Sequence, residues 1–166
     1  MGSVSGLSRD HRIRARDRVV HAAKLGLSHA GEVHYTMGAD RWDGIAHRRN
    51  SSHGQFPVQA DCSSFVTWCL WNGLFLVYGI GDIVNGENWN AGYTGTLRNH
   101  GKRVRDASSV LRGDLVHYGD GTGAHVSIVV GKENGVPMTV SHGKEADPRY
   151  VRFDYRNDFS HFRRYI

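Results

Sequence analysis

Gln59-Ala60-Asp61-Cys62-Ser63-Ser64-Phe65-Val66-Thr67-Trp68-Cys69 is the stretch on which the reading of this chain turns. An acid, a cysteine and two serines come first, and apolar residues at helical spacing follow at once. Asp61 is a good N-cap, because its carboxylate can accept from the N–H groups that a first helical turn leaves free. Phe65, Val66 and Cys69 fall on the same face as Cys62, the face a core-packed helix buries. The pattern predicts a helix from Cys62 to about Asn72, with Gly73 as its stop. Cys62 then stands at the positive end of the helix dipole, which favours thiolate over thiol. A thiolate there is a nucleophile in need of a base. A small buried cysteine beside a cap would read the same way from this stretch alone. A second segment, Arg112-Gly-Asp-Leu-Val-His117 to Ala124-His-Val-Ser-Ile-Val-Val-Gly131, tips the balance by presenting His125 at the start of a strand.

The totals set the frame. A chain of 166 residues, 39% hydrophobic and 22% charged, is most simply one domain with a core that needs neither disulfide nor metal. Twenty-one glycines and 3 prolines point to many tight turns. Lys and Arg total 21 against 16 Asp and Glu, a formal charge of +5. That balance favours an anionic partner, whether nucleic acid, a membrane surface or an acidic wall polymer. Cys62 and Cys69 lie on one proposed helix with Cα atoms roughly 10 Å apart, too far for a bridge. No run approaches transmembrane length, so no membrane span is expected. The arginine-rich opening lacks the apolar segment of a secretory signal.

Along the chain, residues 1–8 read as a loose lead-in, and residues 10–27 as a helix with Ile13, Val20, Ala23 and Leu27 as its apolar stripe. Its arginines are either a solvated face or a contact for an anionic partner. Tyr35 and Trp42 sit in a long polar connection before Cys62, where aromatics either line a cleft or pin the loop to the body. Residues 85–102 read as a short helix and a surface loop. The period then changes to two, with strands expected at 114–118, 125–130 and 136–141 and further ones at 151–153 and 162–166. Helices first and an antiparallel sheet second make an α+β fold.

The chemistry follows from the pairing. A cysteine nucleophile needs a base within hydrogen-bond reach, and the base needs a third group to fix its tautomer. If the strands bearing His125 and His142 form a hairpin, His142 can lie beside His125 and orient its ring. This is the logic of papain-like acyl transfer. None of the other histidines shows His-Glu-x-x-His spacing and no CxxC pair occurs, so no metal site is expected. Cys69 reads as inert core.

Asp61-Cys62-Ser63-Ser64-Phe65, Arg112-Gly113-Asp114-Leu115-Val116 and His125-Val126-Ser127-Ile128-Val129-Val130-Gly131 together resemble the NlpC/P60 cysteine peptidases. The resemblance spans roughly residues 35–142. It implies a papain-like α+β fold and hydrolysis of peptidoglycan peptide stems, commonly between D-glutamate and a diamino acid, through a Cys62 thioester and without a cofactor. It implies Cys62 as nucleophile, His125 as base and acid, and His142 as the third member. Tyr35 is similar to the family's cleft tyrosine, and Asp61 and Ser63 to the pair that meets the stem's free amine. Trp42 joins them as a candidate substrate contact. Ser64 and Ser127 stand where the family usually has glycine, and the Tyr35 segment carries a long insertion before Cys62.

The partner then expected is the stem peptide, with an anionic wall polymer on the basic surface and no nucleic acid. A monomeric phage endolysin domain, made without a signal peptide and acting on the bacterial wall, suits that set. The rivals are a CHAP-type amidase with the same nucleophile and base, and a basic wall-binding module on a dead catalytic frame.

Overall fold

The computed structural model describes residues 3–86, 88–144 and 146–166. Helix α1 (Arg9–Ser28) is capped by Ser8, whose hydroxyl accepts from the His11 N–H. Its buried residues are small: Ala15, Val19, Val20, Ala22, Ala23 and Gly26. Ile13, expected on the buried stripe, is exposed. Small residues let a second helix come close, and that constraint sets the buried face. A two-residue strand β1 (His34–Tyr35) and a single turn α2 (Asp43–Ala46) follow, then β2 (Gln59–Ala60), which pairs parallel with β1.

Helix α3 (Cys62–Tyr78) opens where expected but does not stop at Gly73. It runs to Tyr78, and Gly79 ends it in the left-handed conformation at φ 60°. Every residue from Cys62 to Leu74 is buried, so the helix is enclosed on all sides rather than on one face. Gly73 marks the crossing with α1. A Cβ there would lie 2.6 Å from the Ala15 carbonyl oxygen and 2.5 Å from Val19 Cγ2. Gly73→Ala should therefore destabilise the protein by roughly 1–3 kcal/mol through overpacking, outweighing a helix-propensity gain of about 1 kcal/mol. Urea denaturation checks this, and an increase in stability would refute the close-crossing account.

After α4 (Thr94–Asn99) comes the sheet, with strands β3 (Lys102–Val104), β4 (Leu115–Tyr118), β5 (His125–Glu133), β6 (Val136–Gly143), β7 (Ala146–Arg152) and β8 (Phe159–Arg164). Their spatial order is β3-β8-β4-β5-β6-β7, antiparallel throughout, so the α+β expectation holds. Val126, Ile128, Val130 and Val140 join the helices in the main core. Val116, Tyr118, Val129 and Phe162 form a smaller cluster with Val104 and Val110. The Arg112-Gly-Asp-Leu motif is a structural joint. Gly113 turns at φ 88°, and buried Asp114 accepts from Leu111 N–H at 2.9 Å and from Arg164 Nε and Nη2 at 2.9 and 2.7 Å.

Three buried histidines make stability depend on pH. Burial, helped by His161 and then Arg98 and Arg163, pushes His117 down to about 2. Burial with Arg163 and Arg98 pushes His161 down to about 4, and burial lowers His142 as well. Each is neutral in the fold and takes up a proton on unfolding once the pH is below the ordinary value near 6.5. Their contribution is thus complete above that pH and is lost as pH falls, by roughly 1.4 kcal/mol per unit for each group. Unfolding free energies between pH 7 and 4 should show uptake of two to three protons, and His161→Asn should reduce it by about one. A flat profile would contradict the neutral assignments.

Candidate active site

The site is built at the start of α3. Asp61 Oδ1 accepts from Ser64 N–H at 2.7 Å and from the Ser63 hydroxyl at 2.9 Å, while Ser64 Oγ accepts from Asp61 N–H at 2.9 Å. This capping box fixes the entry of the chain into the helix. The β1–β2 pairing sets Tyr35 opposite Ala60, two residues before Cys62. Cys62 itself is buried, with Sγ 3.7 Å from Thr94 Oγ1 of α4. Burial, and after it the Asp61 carboxylate, push the thiol up to about 11, against hydrogen bonds from Thr94 and the backbone of Val126 and Ser63. Desolvation and a neighbouring negative charge thus work against the thiolate that the helix dipole favours. Alkylation of Cys62 by iodoacetamide should be slow at pH 7 and climb through pH 9–10 towards an inflection near 11. Asp61→Asn keeps a capping oxygen, removes the charge and should move that inflection down. A wild-type inflection at or below about 8.5, the free-thiol value, would overturn this electrostatic account.

The contact between Cys62 and the Val126 backbone brings the start of β5 against the thiol. His125 is the residue before it, and its ring is held from two sides. Nε2 lies 2.7 Å from Ser141 Oγ, and the ring stacks on Tyr118 at 5.6 Å and 30°. Ser141 Oγ is in turn 3.1 Å from Tyr155 Oη, and the Arg149 guanidinium lies 5.1 Å over the Tyr155 ring.

His142 is elsewhere, and the expectation that it orients His125 is corrected. Its Nε2 faces the Ala60 carbonyl oxygen at 3.2 Å, and Nδ1 is buried with no hydrogen-bond partner among the described residues. Its ring packs on Phe65 at 5.7 Å and edge-on to Tyr35 at 5.6 Å. The reason is strand alternation. With Ile128 paired to Val140, residues 125, 127, 139 and 141 share one face and residue 142 lies on the other. A hairpin count could have found Ser141, but a serine carries no signal of its own beside a histidine.

The expected binding residues divide. Tyr35 is half-buried beside His142, and its hydroxyl meets Met37 Sδ at 3.2 Å. Asp61 Oδ2 lies 3.6 Å from Arg41 Nε. Ser63 is 1% exposed and donates to Asp61, so its hydroxyl points into the cap rather than to a ligand. Trp42 is 8% exposed with the Arg41 guanidinium 5.7 Å from its ring, so it pins the loop instead of lining a cleft. Arg41 and Thr94, which sequence reasoning passed over, are the neighbours that loop and helix packing supply. No group of three or more His, Cys, Asp or Glu suited to a metal occurs among the described residues.

A buried cysteine at a capped helix start, packed against a sheet strand that opens with a histidine, defines a papain-like arrangement. No protein-family model matches the chain. It is 29% identical over 145 residues to the peptidoglycan endopeptidase RipB of Mycobacterium tuberculosis, covering 86% of this chain and 52% of RipB. The chain therefore spans about half the length of that relative. Among solved structures, the P60 domain of an antigen of M. avium subspecies paratuberculosis superposes with a TM-score of 0.54 at 20% identity, over 92% of this chain and 97% of that one. NlpC1 from Trichomonas vaginalis superposes at 0.52 and 21% identity, over 89% and 44%. The fold of this chain is the NlpC/P60 fold.

Proposed function

We propose that the chain is a cysteine endopeptidase that cleaves the peptide stems of peptidoglycan. The observation that carries this is the buried Cys62 thiol at a capped helix start with the first residues of β5 against it, on an NlpC/P60 fold. The similarity to RipB supports the substrate class. In this reading Cys62 Sγ attacks the stem carbonyl while its proton passes to His125 Nδ1, the ring nitrogen on the other side from Ser141. The thiol is stored protonated, so transfer accompanies attack rather than preceding it. The Cys62 backbone N–H at the positive helix end serves the oxyanion. Collapse breaks the amide, His125 protonates the departing amine, and water hydrolyses the Cys62 thioester with His125 as base. Ser141 and Tyr155 hold the imidazole in position. Tyr35 borders the substrate, and Asp61 Oδ2 is the oxygen available to the stem's amine.

The finer assignments belong to the same proposal. The bond cut is that between D-glutamate and diaminopimelate, residues 1–166 act as one catalytic domain and as a monomer, and the setting is a phage endolysin acting on the bacterial wall. The amidase alternative gains one observation: His142, expected as the third member of the endopeptidase site, does not hydrogen-bond His125. Mass spectrometry of digested muropeptides decides between them. A new free amine on diaminopimelate supports the endopeptidase. Stems released intact from the sugar would replace it with the amidase.

A further inference from the structure

The sheet edge far from β7 carries a basic cluster that the proposed reaction does not use. Arg103, Val104, Arg105, Ser160 and His161 line a surface pocket of about 350 Å³ between β3 and β8. The register explains the grouping, since Arg103 pairs with Arg163 and His161 pairs with His117. Arg163 Nε lies 3.3 Å from His161 Nε2, with the guanidinium donating. Arg98 of α4 reaches the rim, donating to Ser160 Oγ at 3.2 Å and to the Gly119 carbonyl at 2.7 Å. His161 Nδ1 is 2.9 Å from Ser160 Oγ. Behind it His117, fully buried, stacks on His161 at 5.1 Å and 15°. Neither ring nitrogen of His117 has a hydrogen-bond partner among the described residues.

The charge here is uncompensated. Several arginines elsewhere are matched, Arg49 to Asp43, Arg112 to Asp17, Arg156 to Asp158 and Arg164 to Asp114. Among the described residues Arg98, Arg103, Arg105 and Arg163 make no ion pair, and their named partners are carbonyls, a hydroxyl and an imidazole. The two imidazoles are forced neutral beside them by burial and by the same guanidinium charges. Four like charges around one concavity repel one another unless a negative group joins them. Guanidinium forks match tetrahedral oxyanions in shape as well as charge, and the Ser160 hydroxyl supplies a neutral partner.

We propose that the pocket bounded by Arg103, Arg105, Ser160 and His161, with Arg98 and Arg163 at its rim, binds a phosphate group. A free phosphate and a phosphodiester unit of an anionic polymer present the same oxygens, and the pocket is open enough for either. The site is independent of the Cys62 chemistry.

The test is histidine NMR of the intact protein at constant ionic strength, titrated with inorganic phosphate and, in a second arm, with poly(glycerol phosphate). Phosphate should saturate and raise the pKa of His161 by about 1 unit or more, because a bound anion favours the imidazolium. Arg103→Ala/Arg105→Ala alters only exposed side chains and should weaken binding by about tenfold or more. Tighter binding of the polymer assigns the site to a phosphodiester chain, and tighter binding of inorganic phosphate assigns it to the free ion. A shift that chloride reproduces at equal ionic strength, one that never saturates, or one unchanged in the double variant would overturn the proposal.

Discussion

Cys62→Ala is expected to lower peptidoglycan hydrolysis by more than about 10³-fold, while Cys69→Ala keeps most of it. Both cysteines are buried and unbridged, and both are held as thiols by burial. What separates them is place. Cys62 begins α3, with Thr94, the Val126 backbone and the positive end of the helix around it, so a carbonyl brought to Sγ meets the Cys62 N–H as oxyanion donor. Cys69 lies two turns further into the helix, enclosed by core. The readout is release of soluble muropeptides, with thermal unfolding as a control for fold. Full activity in a folded Cys62→Ala protein would end the cysteine-hydrolase reading and leave a basic binding module in its place.

His125→Ala is expected to cost about 10²- to 10⁴-fold in kcat/KM, the usual worth of a positioned acid–base group. The residues around it should then separate by mechanism. Ser141→Ala should lose about ten- to a hundredfold, roughly 1–3 kcal/mol of transition-state stabilisation, with little change in the thermal midpoint. Ser141→Thr keeps a hydroxyl and should recover part of the loss. His142→Ala should do the opposite. It empties the space between Tyr35 and Phe65 and removes the hydrogen bond to Ala60, so it lowers the midpoint more than kcat/KM. A defined peptide stem assayed with all four variants decides it. A silent Ser141→Ala, beside a His142→Ala that loses activity at unchanged midpoint, would restore His142 as the third member.

The match between sequence and structure follows from how local each signal is. The Asp61 cap, the start of α3 and the strand that begins at His125 are decided by neighbours a few residues apart, and all three lie where the sequence puts them. The end of α3 is not local. Gly73 is a stop by propensity, yet in the fold it is the residue that lets α1 and α3 touch, and burial of the helix beyond it outweighs the local preference. The parallel pair β1–β2 and the edge strand β3 are two and three residues long, too short for any periodicity to register.

By itself, then, the sequence determined the α+β class, the nucleophile's place at a helix start and the histidine at a strand start. Each is written in residues adjacent along the chain. Tertiary structure alone decided which side chain meets the His125 ring, how far Cys62 is desolvated, and that Arg103 and Arg105 line one pocket with Arg98 and Arg163 at its rim. The parity of a hairpin sends residue 141 to the face of residue 125 and residue 142 away from it, and parity depends on register across the turn. The Cys62 proton is set first by desolvation, which arises only when α4 and β5 close over the helix start, and after it by the carboxylate of the adjacent Asp61. The arginines come from α4, β3, the residue just after β3, and β8, and only the pairing of β3 with β8 brings their charges together.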